Sequence, residues 1–320
     1  MRVDESGLVQ SVRARLLATA TAAASDPNTV LARYGIERFL YRLSISPYAD
    51  RFVLKGAMLL SAWLGQGARP TRDIDLLGLG PFTLDAIADM AREVCGLSCE
   101  PDGMTFLPET VKVAEIRTSG QYRGARLTLS GVLGRARVRV QVDVGIGDAT
   151  IPGPAFLDYP SLLGFPNPRL RAYQPETVVA EKVHAMTVLA SANTRLKDVH
   201  DVAALCHQVD FDGATLVSAI EATFARRNTE IPGTLPAALT TEFTANPARE
   251  TQWKAFLKRS RLDSGGLTLT AAAEEAARFL EPVLAAAAAG EPFTLRWKAP
   301  GPWRRGGGSR TPAGRTRGRT

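Results

Sequence analysis

The sequence predicts an α+β protein, with a strand-bearing core followed by a mostly helical region. Three observations carry this. Strand-like segments with period-two alternation are confined to the second fifth and middle of the chain, helical periodicity dominates on both sides of them, and a Pro-rich stretch separates the two kinds of pattern. At 320 residues, 45% hydrophobic and 22% charged, the chain has the composition of an ordinary globular protein and can bury a sizeable core.

The elements follow in order. Residues 1–46 read as helical, because "GIERFLYRLS" sets Ile36, Phe39, Leu40 and Leu43 on one stripe. Residues 47–150 mix both types. "RFVL" is a short strand, "AMLLSAWL" a buried helix, and "TRDIDLLGL" a second strand. A helix from Leu84 to about Val94 takes Thr83 as N-cap and Asp85 in its first turn. The strands "VKVAEIR", "ARLTLSG" and "RARVRVQVDVG" come next. Residues 151–175 form a Pro-rich connector, 176–291 a helical C-terminal domain, and 292–320 a disordered basic tail.

The charge is unevenly placed. The chain carries +7 overall, yet from Pro292 onward there are eight basic residues and no acidic one, which leaves −1 for residues 1–291. The folded part is thus near neutral, and the tail either adds sequence-independent attraction to RNA phosphates or is a dispensable solvated segment. The opening "MRVDESGLVQ" lacks the apolar run of a signal peptide and no segment reads as a membrane span, so a cytoplasmic protein is expected. Cys95, Cys99 and Cys206 lack zinc-site spacing and read as reduced thiols.

The chemistry concentrates in a few places. In "GARPTRDIDLLG", Asp73 and Asp75 fall on one face of a strand and Ile74 and Leu76 on the other, so two like charges lie side by side. In "RARVRVQVDVG", Val138, Val140, Val142 and Val144 form one face, while Asp143 shares the other with Arg137, Arg139 and Gln141. Alone, Asp143 reads as a solvated edge residue before the Gly145-Ile146-Gly147 turn. Beside the Asp-x-Asp pair it becomes a third oxygen donor for Mg²⁺, and a two-metal site that clamps attacking and leaving oxygens is the favoured reading. Gly56, where "VLK" turns into an apolar helix, lets backbone N–H groups approach a phosphate, with Arg69 and Arg72 nearby.

In "PETVVAEKVHAMTVLA", Lys182 falls within the apolar stripe, where it either snorkels out or reaches phosphates in a cleft. In "TRLKDVHDVAALCH", Leu196, Val199, Val202, Ala203 and Cys206 face the core. Arg195, Asp198 and Asp201 recur on another face, which reads equally as a solvated salt-bridged surface with Lys197 paired to Asp201. His184, His200 and His207 do not cluster and read as structural or exposed.

The order "LKGA", "RPTRDIDLLG", "VQVDV", "PETVVAEKVHAM" and "RLKDVHDVAAL" resembles the AbiEii/AbiGii family of nucleotidyltransferase toxins from about Tyr34 to His207. The resemblance implies a core like that of DNA polymerase β, a mixed sheet flanked by helices. It also implies Mg²⁺-dependent transfer of a nucleotidyl group from an NTP, as the toxin of a type IV toxin–antitoxin or phage-defence pair. Some relatives modify the acceptor end of tRNA, so the expected acceptor is RNA, and the expected partner is a cognate antitoxin whose action can be indirect. Carried over by position, Asp73, Asp75 and Asp143 hold the metals, and Asp143 also orients or deprotonates the acceptor hydroxyl. Lys55, Gly56 and Arg72 help hold the triphosphate, and Lys182 and Asp198 match the later Lys and Lys-Asp motifs in catalytic roles; Arg69, Lys182 and Lys197 are the further nucleotide-binding candidates. One departure is Ala57, where such enzymes commonly carry a hydroxyl. A glycosyltransferase would not need the third carboxylate or the Lys182 helix. A nucleotidyltransferase for a small molecule such as an antibiotic would share the whole site, and a non-catalytic nucleotide-binding module would tolerate loss of a carboxylate.

Overall fold

The computed structural model describes residues 5–65, 68–117, 123–190, 195–262 and 265–306. Helices α1 (Glu5–Ala22) and α2 (Pro27–Ser44) come first, the latter capped by Asp26, whose side chain accepts from the Asn28 N–H. Strand β1 (Phe52–Lys55) passes through Gly56 into α3 (Ala57–Leu64). Strand β2 (Asp73–Gly78) and α4 (Leu84–Gly96) follow, and Thr83 caps α4 as expected by accepting from the Ala86 N–H. Three long strands complete this region: β3 (Thr105–Arg117), β4 (Arg123–Leu133) and β5 (Ala136–Ile146).

These strands belong to a seven-stranded mixed sheet in the order β3-β4-β5-β2-β1-β7-β6, where β6 is Ala155–Asp158 and β7 is Arg169–Ala172. Strands β2 and β5 pair in parallel, β1 lies antiparallel to β2, and β7 joins β1 in parallel. The 151–175 stretch is therefore more than a connector. It supplies two strands because its apolar residues Leu170 and Ala172 alternate with Arg169 and Arg171, a short pattern hidden among prolines.

The four valines of β5 are buried as their alternation requires. Gly35 of α2 packs on them so closely that a Cβ there would lie 2.6 Å from Val138. Arg42 of α2 is buried and forks onto Asp102 through bonds of 2.8 and 3.1 Å, tying α2 to the loop before β3.

After the sheet come α5 (Pro175–Leu189), α6 (Leu196–Gln208), β8 (Phe211–Asp212), α7 (Gly213–Arg226), α8 (Thr241–Thr244), α9 (Pro247–Ser260) and α10 (Leu269–Ala289). The basic segment after Pro292 then departs from the expected disorder. Strands β9 (Leu295–Trp297) and β10 (Trp303–Arg305) form a hairpin that continues β8 into a small second sheet. Its anchors are aromatic: Trp303 stacks on Phe279 at 5.5 Å, and buried Trp297 donates to the Cys206 carbonyl at 2.6 Å. Charge and Gly/Pro content obscured these two tryptophans, whose aromatic packing outweighs the local tendency to disorder. Residues 307–320 of the expected tail lie outside the described residues. Cys95, Cys99 and Cys206 are free thiols, and among the described residues no helix is long and apolar enough to cross a membrane.

Candidate active site

The sheet register gathers the three aspartates. Asp75 of β2 lies opposite Asp143 of β5 and Asp73 opposite Gln141, so all three carboxylates stand on the same face. On the other side, Asp75 is the register partner of Lys55 at the end of β1. The next residue is Gly56, with φ +74°, and a Cβ there would lie 2.1 Å from Asp75 Oδ2. Gly56 is thus required twice, by its left-handed backbone and by the carboxylate occupying its side-chain space.

The electrostatics follow from that crowding. Burial is the main cause that pushes the Asp75 carboxyl up to about 6, with Asp143 and Asp73 adding to it and Lys55 opposing. Asp73 is raised as well, by burial and then by Asp143. Oxygen donors on adjacent strands that hold protons too strongly suit a hard divalent cation, which would relieve the repulsion. The donor chemistry fits, although among the described residues no three acidic, His or Cys side chains are already closed into a metal cluster. Both oxygens of Asp143 are taken by Arg126 of β4, through Nε–Oδ1 at 2.8 Å and Nη2–Oδ2 at 2.7 Å.

Lys55 is firmly held. Its Nζ lies 2.5 Å from Asp148 Oδ2 and 3.7 Å from Glu181 Oε1, and it passes over Gly145, where a Cβ would stand 3.4 Å away. Burial favours the neutral amine, but Glu181 and Asp148 outweigh it and raise Lys55, which stays charged. Burial alone would raise Asp148, yet Lys55 holds it below the usual carboxylate range. Arg227 completes the group, 3.0 Å from Glu181 Oε1 and 3.6 Å from Asp148 Oδ1.

A second charged cluster joins α5 and α6. Lys182 Nζ is 2.5 Å from Asp201 Oδ2 and 3.2 Å from Asp198 Oδ1, Arg69 Nε reaches both Asp201 oxygens at 3.2 Å, and Arg195 Nε lies 2.9 Å from Asp198 Oδ2. Asp198 and Asp201 are 0% and 1% exposed, so the face of α6 that could read as solvated is interior. Lys182 does not snorkel out; it is interior and paired. Asp201 goes to Lys182 and Arg69 rather than to Lys197, because those two cations approach it from outside the helix. Burial, then Arg195 and Arg69, lower the Lys197 amine. With Arg69, Lys182, Arg195 and Lys197 against two aspartates, the cluster has an excess of two positive charges. Lys197 also acts electrostatically on Asp73, which links the two clusters.

Arg72 is exposed and donates to Thr29 Oγ1 at 3.0 Å, directed at the start of α2. His184 and His200 are buried and His207 is exposed. Sequence reasoning missed Arg126, Asp148, Glu181, Asp201 and Arg227 as parts of the two clusters. For Arg126 a signal existed: it lies on the polar side of an alternating strand, as Asp143 does. For Asp148, Glu181 and Arg227 the partners come from distant elements and no local pattern announces them.

The model of the family described as nucleotidyl transferase AbiEii toxin, type IV toxin–antitoxin system, matches residues 38–276. No curated protein matches the chain. Two solved structures from Helicobacter pylori are similar at 13% identity. JHP933 matches over 79% of this chain and 88% of its own, with a TM-score of 0.43. A candidate nucleotidyltransferase matches over 79% and 91%, with a TM-score of 0.42.

Proposed function

Because the chain belongs to the AbiEii family of nucleotidyl transferase toxins of type IV toxin–antitoxin systems, we propose that it moves an NMP from an NTP to an RNA acceptor, the 3′ end of tRNA, with Mg²⁺. In this reading it acts in the cytoplasm, inhibits growth when no antitoxin counters it, and serves phage defence. The observation that carries the reaction type is the register of Asp75 against Asp143, with Asp73 on the same face.

Asp73, Asp75 and Asp143 would hold Mg²⁺, which when bound neutralises charge on the triphosphate and on the leaving group. The acceptor oxygen bonds to the α-phosphorus, the bond from that phosphorus to the bridging oxygen breaks, and pyrophosphate leaves with the electron pair. Asp143 orients the acceptor hydroxyl and takes its proton. The cluster of Arg69, Lys182, Arg195 and Lys197 has two positive charges to spare, enough to attract a polyphosphate. Within it Asp198 is a positioning residue, since its carboxylate is fully buried and fixes Lys182 and Arg195. Lys55 stays charged between Asp75 and Asp148 and steadies the turn at Gly56. Little covalent participation is needed, because positioning and charge neutralisation supply most of the acceleration.

An RNA acceptor is favoured over a small molecule by the exposed Arg137 and Arg139, which share the sheet face with Asp143 and offer contacts to phosphates away from the reacting end. The test incubates purified protein with total tRNA, Mg²⁺ and each labelled NTP in turn, beside an Asp75→Ala control. Label on tRNA that disappears in the control is expected. Label on no RNA, or equal labelling by the control, would overturn the RNA reading.

A further inference from the structure

We infer that Arg126 is a positioning residue that occupies the third carboxylate until metal and nucleotide arrive, and then transfers its fork from Asp143 to the triphosphate. This rests on the metal reading of Asp73, Asp75 and Asp143 proposed above.

The geometry begins with register. Across β4, β5 and β2 the residues Arg126, Asp143 and Asp75 lie in one row, each the cross-strand partner of the next. Arg126 is thus the nearest cation on the side away from Lys55. It makes two parallel bonds, at 2.8 and 2.7 Å, and so leaves Asp143 without its two primary acceptor positions. A metal ion that used Asp143 would draw on those same two oxygens, each of which already gives one lone pair to the fork, so the guanidinium and the ion compete for the one carboxylate.

The exchange is physically modest. Arg126 is 43% exposed and Asp143 21%, so the fork is water-accessible and its loss changes little else. Its register partner on the neighbouring strand β3 is Ala114, which offers no competing anion. A guanidinium fork matches phosphate as well as carboxylate, which a lysine ammonium does not. Released from Asp143, Arg126 would remain one strand spacing away, beside the anion that the metal brings with it. The row therefore stays balanced in both states: guanidinium on carboxylate before loading, metal on carboxylate and guanidinium on phosphate after it.

This arrangement predicts effects of opposite sign. In Arg126→Ala, Mn²⁺ alone should bind roughly five-fold more tightly, since its competitor is gone. Binding of α,β-methylene NTPs at saturating Mn²⁺ should instead weaken by about ten-fold, since a phosphate partner is gone. Both are read by isothermal titration calorimetry, with electron paramagnetic resonance of Mn²⁺ as the second measure, on the full chain without turnover. Arg126→Lys should fall between the two proteins. A purely structural role would move both affinities in the same direction. Unchanged or weaker Mn²⁺ binding in Arg126→Ala overturns the inference, as does unchanged nucleotide binding. An Asp75→Asn control separates the two levels: if Mn²⁺ binding to the parent protein does not depend on Asp75, the metal site itself is refuted and this exchange with it.

Discussion

The side-chain position that Gly56 leaves empty is filled by Oδ2 of Asp75, at 2.1 Å from where a Cβ would be. One residue at a strand–helix turn thus fixes where a carboxylate of the adjacent strand can go. Gly56→Ala must strain a left-handed backbone and displace Asp75 together. The expected outcome is a loss of about 1–3 kcal/mol in stability and at least ten-fold in label transfer, measured by thermal melts and the tRNA assay.

Asp75 makes the metal-free protein sensitive to pH in a definite direction. Its folded-state value of about 6 lies above the ordinary 3.8, so its stabilising contribution is present below about 3.8 and is lost as pH rises through about 6. The group is partly exposed, which reduces the effect to about 1–2 kcal/mol. Asp75→Asn should raise the melting temperature at pH 8 and leave it nearly unchanged at pH 4. Mg²⁺ should stabilise the parent protein more at pH 8 than at pH 5, and removal by EDTA should reverse the gain. Equal Mg²⁺ stabilisation at both pH values would contradict this account.

Lys182 and Lys197 should separate fold from function. Lys182→Met leaves Asp198 and Asp201 buried with fewer partners, and a loss of about 3 kcal/mol is expected in denaturant unfolding. Burial, and then Arg195 and Arg69, already lower the Lys197 amine. Lys197→Ala should keep or slightly raise stability while weakening nucleotide binding about ten-fold, read as a rise in KM for the NTP.

His184 gives an acid-side signature. Burial, and then Arg227 beside it, depress its imidazole to about 4, while the unfolded chain takes up the proton near 6.5. Its neutral form therefore supports the fold above about 6.5, and that support is lost as pH falls toward 4. His184→Gln should flatten this part of the stability curve by roughly 2 kcal/mol in urea titrations at pH 7 and pH 4.5.

The C-terminal segment should divide in two. Removing residues 292–320 takes away Trp297 and Trp303, uncovers Phe279, and should lower the melting temperature by several degrees. Removing residues 307–320 alone should leave the melt unchanged. If those residues attract RNA, it should also make the slope of RNA affinity against salt shallower.

Much of this was legible in the sequence because period and chemistry coincide. The valines of β5 declare both their strand and the face on which Asp143 stands, and Asp-x-Asp declares the same for β2. Illegible were features whose cause is tertiary. Nothing near Lys182 says that two aspartates on the next helix will enclose it, and nothing near Lys55 points to Asp148 or Arg227. The strands β6 and β7 were hidden because four residues among prolines carry too little periodicity, and the C-terminal hairpin because charge outweighed two tryptophans in the reading.

The order of the sheet has a consequence for synthesis. Strand β2 meets β5 only after α4, β3 and β4 have been made, and Lys182 meets Asp201 later still. The groups assigned here to metal and nucleotide are thus distributed from Lys55 to Asp201, with none of the clusters complete in an early fragment. A chain still emerging from the ribosome, or released early by a stalled one, would lack an assembled centre. Truncation before Asp201 removes the carboxylate that Lys182 and Arg69 share, and with it the second cluster.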